Sequence, residues 1–337
     1  MYNSPSILKI SVVVPVRNEA QTIRALLDGL LGQTLPPNEI VITDGGSVDE
    51  TRVIIQDFID QGAPVKLLTD DDSLPGRSRN IAVANARNDW VAFIDAGIRP
   101  EHGWLQALAD QIVDPSHADV VYGSYEPIIS SFFTECAAIA YVPPPAATAA
   151  GPARPYSIAS ALMPRAAWEA AGGFPEHLRS AEDLVFMQRV EAAGFRIVRA
   201  PSAVVHWTIQ PTIWRTFRRF VVYARNNMRA GLWRNWQRRI LTRYALLVLS
   251  AAPAVFLGAR WLVIPTGLWL IFMIARSLRA LGQNREYYPA GFIRNVFRVV
   301  IIVPILAVID LATFAGTGQW LLLDLFEDRN RVGTPKH

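Results

Sequence analysis

The 337-residue chain predicts a doubly wound α/β sheet followed by C-terminal transmembrane helices. Three observations lead there. Short β-branched runs alternate with amphipathic segments as far as Gly123. Acids stand at the ends of four successive runs, at Glu19, Asp44, Asp70 and Asp95, and such sheets bind ligands beyond the carboxyl ends of their strands. The mean hydropathy is +0.20, and the apolar surplus gathers after residue 240.

The elements follow in order. ILKISVVVPV (7–16) reads as the first strand. It has no small-residue cleavage site and runs into Arg17, Asn18 and Glu19, so it is a core strand and not a secretory signal. Residues 19–33 carry Ile23, Leu26, Leu27, Leu30 and Leu31 at helical spacing. EIVIT (39–43) is a second strand, and Ser47 with Glu50 has the spacing of a capping box that opens a helix from Asp49 to about Gln61. VKLLT (65–69), a helix over 76–87, WVAFI (90–94), a helix over 101–113 and DVVYG (119–123) continue the alternation. Short β-α connections of this kind predict a layered sheet with helices on its faces. The pattern breaks from about 124 to 160, where VPPPAATAAGPARP (142–155) reads as a loop or lid. A helix begins near Arg165 and stops at Gly172-Gly173, and a second runs from Glu182 to about Ala193. RIVRA (196–200) and PSAVVHW (201–207) read as two short strands.

Between Trp214 and Tyr244 every charged residue is an arginine, and residues 244–275 hold one charge, Arg260. A bilayer is crossed by roughly 20 apolar helical residues. The stretch therefore fits a hairpin of two spans broken near Gly258–Arg260, with Val299 to Leu323 a third, interrupted by Asp310 and Gly316-Thr317-Gly318. A buried soluble helix is the alternative for each. The excess of 33 basic over 29 acidic residues is small. Its position beside apolar sequence marks a membrane flank and not a nucleic-acid surface. The lone Cys136 permits no intrachain disulfide and fits a reducing compartment.

SVVVPVRNEAQTI, IVITDGGSVDET, GRSRNIAVANARNDWVAFIDAG and GGFPEHLRSAEDLVFMQRVEAAGFRI resemble, in order and spacing, the blocks of family 2 glycosyltransferases with the GT-A fold. The resemblance covers about residues 8 to 210. It implies an inverting, metal-dependent hexosyltransferase of cell-envelope polysaccharide biosynthesis. The donor would be a nucleotide sugar, a UDP-sugar, and the acceptor a hydroxyl of a lipid-linked glycan or glycolipid. Residues 1–212 would then form the GT-A catalytic domain and 213–243 an Arg-rich juxtamembrane helix with Trp214, Phe217, Phe220 and Val221 inward. Residues 244–325 would be the transmembrane region and 326–337 a polar tail. The arginine flanks place the catalytic domain on the cytoplasmic side of the inner membrane. A homo-oligomer is allowed by this reading.

By the resemblance, Pro15, Arg17, Glu19 and Asp44 line the nucleoside pocket, with Asp44 accepting from the base, and Arg79 faces the ribose or phosphates. Glu19 also reads as an acid at a helix N-terminus, and Asp44 as a turn residue. Asp95 ends a strand, and a buried unpaired carboxylate is costly. A divalent metal, Mn²⁺ or Mg²⁺, bridging the donor diphosphate would satisfy it. The family places two acids here, whereas this chain has Asp95-Ala96-Gly97. Ala96 and Gly97 would then meet the donor through backbone, and His206 is the further metal ligand, or an ordinary hydrogen-bonded histidine. Asp183 would be the general base that takes the acceptor proton, and Glu182 would orient acceptor or loop. Both also read as acids capping a helix. The Q-x-x-R-W motif of processive members is absent from 214–226, which favours transfer of one sugar. A polyprenyl-phosphate glycosyltransferase, whose ionised nucleophile needs no base, is the alternative. A noncatalytic membrane scaffold is the third reading.

Overall fold

The computed structural model describes residues 8–112, 119–149, 151–234 and 236–324. Ile7, Val113 and the tail at 326–337, all part of the sequence reading, lie outside these residues. The chain divides into two compact units, Met1–Ile128 with Pro145–Thr208, and Ile129–Pro144 with Ile209–His337.

In chain order the first elements are β1 (Ile10–Val16), α1 (Ile23–Leu31), β2 (Glu39–Asp44), α2 (Thr51–Asp60), β3 (Val65–Thr69) and α3 (Pro75–Asn85). Then come β4 (Trp90–Phe93), β5 (Arg99–Pro100), α4 (Trp104–Ala109) and β6 (Asp119–Ile128). Next, α5 (Phe132–Tyr141) belongs to the second unit. The first unit resumes with β7 (Ala146–Thr148), β8 (Gly151–Ala153), β9 (Ala161–Pro164), α6 (Arg165–Ala170), α7 (Glu182–Ala192) and β10 (Arg196–Thr208).

Eight strands form one sheet in the order β3-β2-β1-β4-β9-β6-β10-β5. The first four are parallel, as the β-α alternation requires. The other half is mixed, because β9 pairs antiparallel with both β4 and β6 and so stands between them. Both faces of the parallel half are buried. Val12, Val14, Ile40 and Ile42 meet Leu26, Leu27, Leu30 and Ile55 of α1 and α2 on one side. Val13, Val41 and Phe93 share a cluster with Phe174, Phe186 and Val190 on the other. Continuous apolar runs are what strands buried on both faces require.

Four local expectations are corrected. The capping box does not form: Ser47 Oγ instead accepts from Asn18 N at 2.8 Å, and Glu50, the N-cap of α2, makes no side-chain cap bond. The stretch at 142–155 contains the β7–β8 hairpin. Residues 132–141 are helical, opened by a Ser131–Thr134 capping box. The segments RIVRA and PSAVVHW are one strand, β10, with a register shift between Arg199 and Val204 that gave it the look of two.

The second unit continues with α8 (Ile213–Arg229), α9 (Gln237–Ser250), α10 (Ala252–Leu257), α11 (Val263–Gln283) and α12 (Phe292–Gln319). On α8, Val221 and Ala224 are buried, but Trp214 is exposed and stacks on Phe217 at 5.4 Å, contrary to its expected inward face. Among the described residues three helical stretches, Gln237–Leu257, Ala259–Gln283 and Phe292–Asp324, are long and apolar enough to cross a membrane. Asp310 ties them together. Its Oδ2 accepts from Arg276 Nη1 of α11 at 2.6 Å and from Tyr244 OH of α9 at 3.2 Å. We expect Asp310→Leu to cost about 3 kcal/mol, the scale for stranding one partner of a buried pair. Asp310→Leu with Arg276→Leu should cost less than the single change, as read by thermal unfolding of the detergent-solubilised protein.

Candidate active site

The site lies at the carboxyl edge of the parallel strands and is organised by one guanidinium. Arg79, on the second turn of α3, is 4% exposed. Its Nη2 donates to Asp95 Oδ1 at 2.6 Å and its Nη1 to Glu182 Oε1 at 2.7 Å. Burial opposes its charge, but the two carboxylates outweigh burial and raise its pKa. Its Cζ lies 5.3 Å from the Phe174 ring centroid, and Phe174 stacks on Phe186 of α7 at 3.8 Å. Arg79 therefore joins the end of β4 to the start of α7.

Local backbone makes this approach feasible. A Cβ on Gly76 would collide with the Pro175 carbonyl oxygen, so only glycine lets α3 start against that loop. Asn80, one residue past the clamp, holds the same loop: Oδ1 accepts from Phe174 N at 2.8 Å and Nδ2 donates to Phe174 O at 2.9 Å. Ala181, the residue before Glu182, has φ of 68°, unfavourable for a residue with a Cβ.

Glu182 Oε2 is buried with no hydrogen-bond partner. Asp183 is half-buried and accepts from Leu184 N at 2.8 Å. Burial, then the like charge of Glu182, push its pKa up to about 7, against the pull of Arg79.

Asp44 ends β2 and is fully buried. Its Oδ1 accepts from Arg52 Nε at 2.6 Å, Ser47 N at 2.9 Å and Gly46 N at 3.1 Å, while Oδ2 is buried and unpartnered. Burial would raise its pKa, but the hydrogen bonds from Ser47, Arg52 and Gly46 prevail and lower it. Glu19 begins α1 through its carbonyl, which accepts from Thr22 N and Ile23 N at 2.9 Å. Its carboxylate Oε2 accepts from Thr22 Oγ1 at 2.6 Å. Pro15 lies on β1 in register with Thr43, and Arg17 is an exposed neighbour of Asp72 at 3.4 Å.

The structure brings Arg79, Asp95, Glu182 and Asp183 together. His206 Nε2 lies 3.0 Å from Glu101 Oε1. Among the described residues no group of three His, Cys, Asp or Glu is arranged to hold a metal ion. Asp95 is 34% exposed with Oδ1 taken by Arg79. Its remaining oxygen fits an open cation site completed by diphosphate oxygens and water, and does not fit a closed protein-only site.

Gly97 explains the missing second acid. Its φ is +80°, and a Cβ there would lie 3.3 Å from Glu19 Oε2. An aspartate would set a second carboxylate against Glu19. Arg52, which neutralises Asp44, and the Gly76 contact escaped the sequence reading; a glycine inside the first turn of a helix, just after Pro75, was the available signal for the latter.

The family 21 glycosyl transferase model matches residues 78–317. The chain belongs to glycosyltransferase family 2/21. The family 2 model also matches, over residues 11–143. This family 2/21 protein has the GT-A fold. It is 31% identical over 214 residues to the pre-mycofactocin glycosyltransferase of Mycobacterium tuberculosis, covering 60% of this chain but only 43% of that protein. It is 28% identical over 300 residues to succinoglycan biosynthesis protein ExoA of Rhizobium meliloti, covering 82% of this chain and 88% of that one. The mannosyltransferase PcManGT of Pyrobaculum calidifontis, solved with GDP-Man and Mn²⁺, shares the fold. The TM-score is 0.54 at 17% identity, over 93% of this chain and 87% of that one.

We expect Gly97→Asp to destabilise this family 2/21 protein by about 1 kcal/mol or more through its left-handed backbone. Adding Glu19→Gln should recover the electrostatic part of the loss and leave the backbone part, as read by denaturant midpoints.

Proposed function

We propose that the enzyme transfers one sugar from a UDP-sugar to a hydroxyl of a lipid-linked glycan or glycolipid, on the cytoplasmic side of a membrane. The observation that carries this reading is the Arg79 bridge, which holds Asp95 and the Glu182-Asp183 pair beside one another. In this reading Asp44 Oδ2, unpartnered and buried, accepts from the donor base, with Pro15, Arg17 and Glu19 around the nucleoside. Ala96 and Gly97 offer backbone to the donor, whose phosphates lie at the Asp95 end of the bridge. Asp95 would hold the divalent metal. His206 belongs to the proposed ligand set because a histidine oriented by a carboxylate, here Glu101, keeps its other ring nitrogen as a donor. When bound, Mn²⁺ or Mg²⁺ would neutralise charge on the departing diphosphate.

Asp183 is the proposed general base. A sugar hydroxyl is far too weak an acid to ionise at neutral pH, so a carboxylate must take its proton as oxygen attacks the anomeric carbon. The bond to the nucleotide diphosphate breaks as the new glycosidic bond forms on the opposite face. A carboxylate with its pKa near neutrality is a better base than an ordinary one while still ionised in part. This favours a hydroxyl acceptor over a polyprenyl phosphate, which brings no proton to remove.

A panel of nucleotide sugars, with and without Mn²⁺ or Mg²⁺ and with membrane-lipid acceptors, tests the reading by nucleotide release. UDP release that requires metal is expected. Preference for a different nucleotide overturns the donor assignment. Asp183→Asn should lower kcat by about 10²-fold or more, and full activity in that variant would favour the phosphate acceptor.

The pH dependence follows from the sign of the Asp183 shift. The ionised carboxylate is the active form, so kcat/KM should fall as pH drops through about 7. Glu182→Gln removes the like charge, lowers the Asp183 pKa and should move this acid limb down by roughly one pH unit.

A further inference from the structure

A second group of side chains lies on the sheet face that α7 covers. Phe93, Ala161, Tyr122 and Arg199 form one row across β4, β9, β6 and β10. Residues paired in neighbouring strands present their side chains to the same face. Phe93 packs on Phe174 and Phe186, and Tyr122 shares their buried cluster with Met187 and Val190 of α7. The first turn of α7 carries Asp183. Burial first, then Tyr156, Glu191 and Asp183, raise the Tyr122 phenol, as expected of a ring near that end of the helix.

Tyr156 stacks on Tyr122 with ring centroids 4.9 Å apart and is itself 43% exposed. Arg199 Cζ lies 4.7 Å from the Tyr156 ring centroid. Arg199 Nη2 donates to the Arg154 carbonyl, while Nη1 is buried with no partner. Among the described residues no carboxylate pairs with Arg199. The Tyr122 hydroxyl is likewise buried and unpartnered. Burial pulls the Arg199 pKa down. A desolvated guanidinium edge without an acceptor costs free energy that an anion would return. An exposed ring braced from behind offers a flat apolar surface. A ring and an orphan cation side by side match a sugar that bears an anionic group.

We propose that Tyr156 and Arg199 form an acceptor subsite for a sugar carrying a phosphate or carboxylate, its ring against Tyr156 and its anion on Arg199 Nη1. This rests on the hydroxyl-acceptor reading given above and narrows its acceptor class.

The test uses the full chain in detergent with octyl glycosides of glucose, galactose, mannose and N-acetylglucosamine. Each is supplied neutral and as its 6-phosphate, with octyl glucuronide as the carboxylate probe. Acceptor-stimulated nucleotide release is measured. At least one anionic acceptor should show a KM about tenfold below that of its neutral parent, the scale of one charged hydrogen bond. The phosphate and carboxylate arms separate the two anions. Arg199→Met should abolish the preference and Arg199→Lys restore part of it, while Tyr156→Ala raises KM for charged and neutral acceptors alike. The donor KM should stay unchanged in all three variants. Equal use of charged and neutral acceptors, or a rise in donor KM in Arg199→Met, overturns the subsite and leaves the proposed function standing. Absence of acceptor-stimulated release from every donor overturns both.

Discussion

The carboxyl end of the sheet depends on a cation placed between two carboxylates. Glu182 is buried and Asp95 is partly so, and among the described residues neither has a second cation within bonding distance. Without Arg79 they would face each other and Asp183 across a poorly solvated space, and one or more would have to take up a proton. The bridge also fixes geometry. A guanidinium offers donors in a rigid fork, so two acids on different elements are held at a set separation. Asn80 and Gly76, on the same helix, pin the loop that leads to α7. The position of the proposed base is thus written into the first turns of α3.

The same electrostatic reasoning accounts for the departure from the two-acid pattern. Glu19 approaches the turn after β4 closely enough that a side chain at 97 would touch its carboxylate. Five acids, Glu19, Asp95, Glu182, Asp183 and the new one at 97, would then crowd the edge that Arg79 serves. The chain keeps Asp95, which Arg79 supports, and leaves a glycine where support is lacking. A metal at this edge would draw more of its ligands from the donor than from the protein, so donor and metal binding would be strongly coupled.

Much of this was legible in the sequence. Strands such as SVVVPV and EIVIT declare themselves by unbroken β-branched runs, and Asp44, Asp95 and Asp183 stand where strand or helix boundaries meet acids. Pairwise facts were not legible. Nothing in GRSRN says that Arg79 and not Arg77 turns inward; the difference is that Arg77 meets the half-buried Asp70 and the exposed Glu176, whereas Arg79 points into the sheet edge. The strand β9 is four residues long, too short to show a period, and its antiparallel insertion altered the neighbour of β4. The contact between His206 and Glu101 was not legible either, because it depends on β5, a strand of two residues.

Among the described residues three carboxylates have one oxygen bonded and one buried without a partner, at Asp44, Glu182 and Asp310. The first two lie in the sheet unit, at the strand-end edge where an arriving ligand can supply donors. In the proposed function an orphan oxygen there would be stabilised by the substrate, which would sharpen selection for groups that carry N–H or O–H. Asp310 lies within an apolar helix, where no such donor arrives from solvent. Its stabilisation must come from Arg276 and Tyr244, on two other apolar helices. A polar group in apolar surroundings that finds its partners in only one arrangement selects that arrangement over slipped alternatives. The orphan atoms at the sheet edge would therefore select a ligand in the proposed function, whereas the bonded atoms of Asp310 select a helix register.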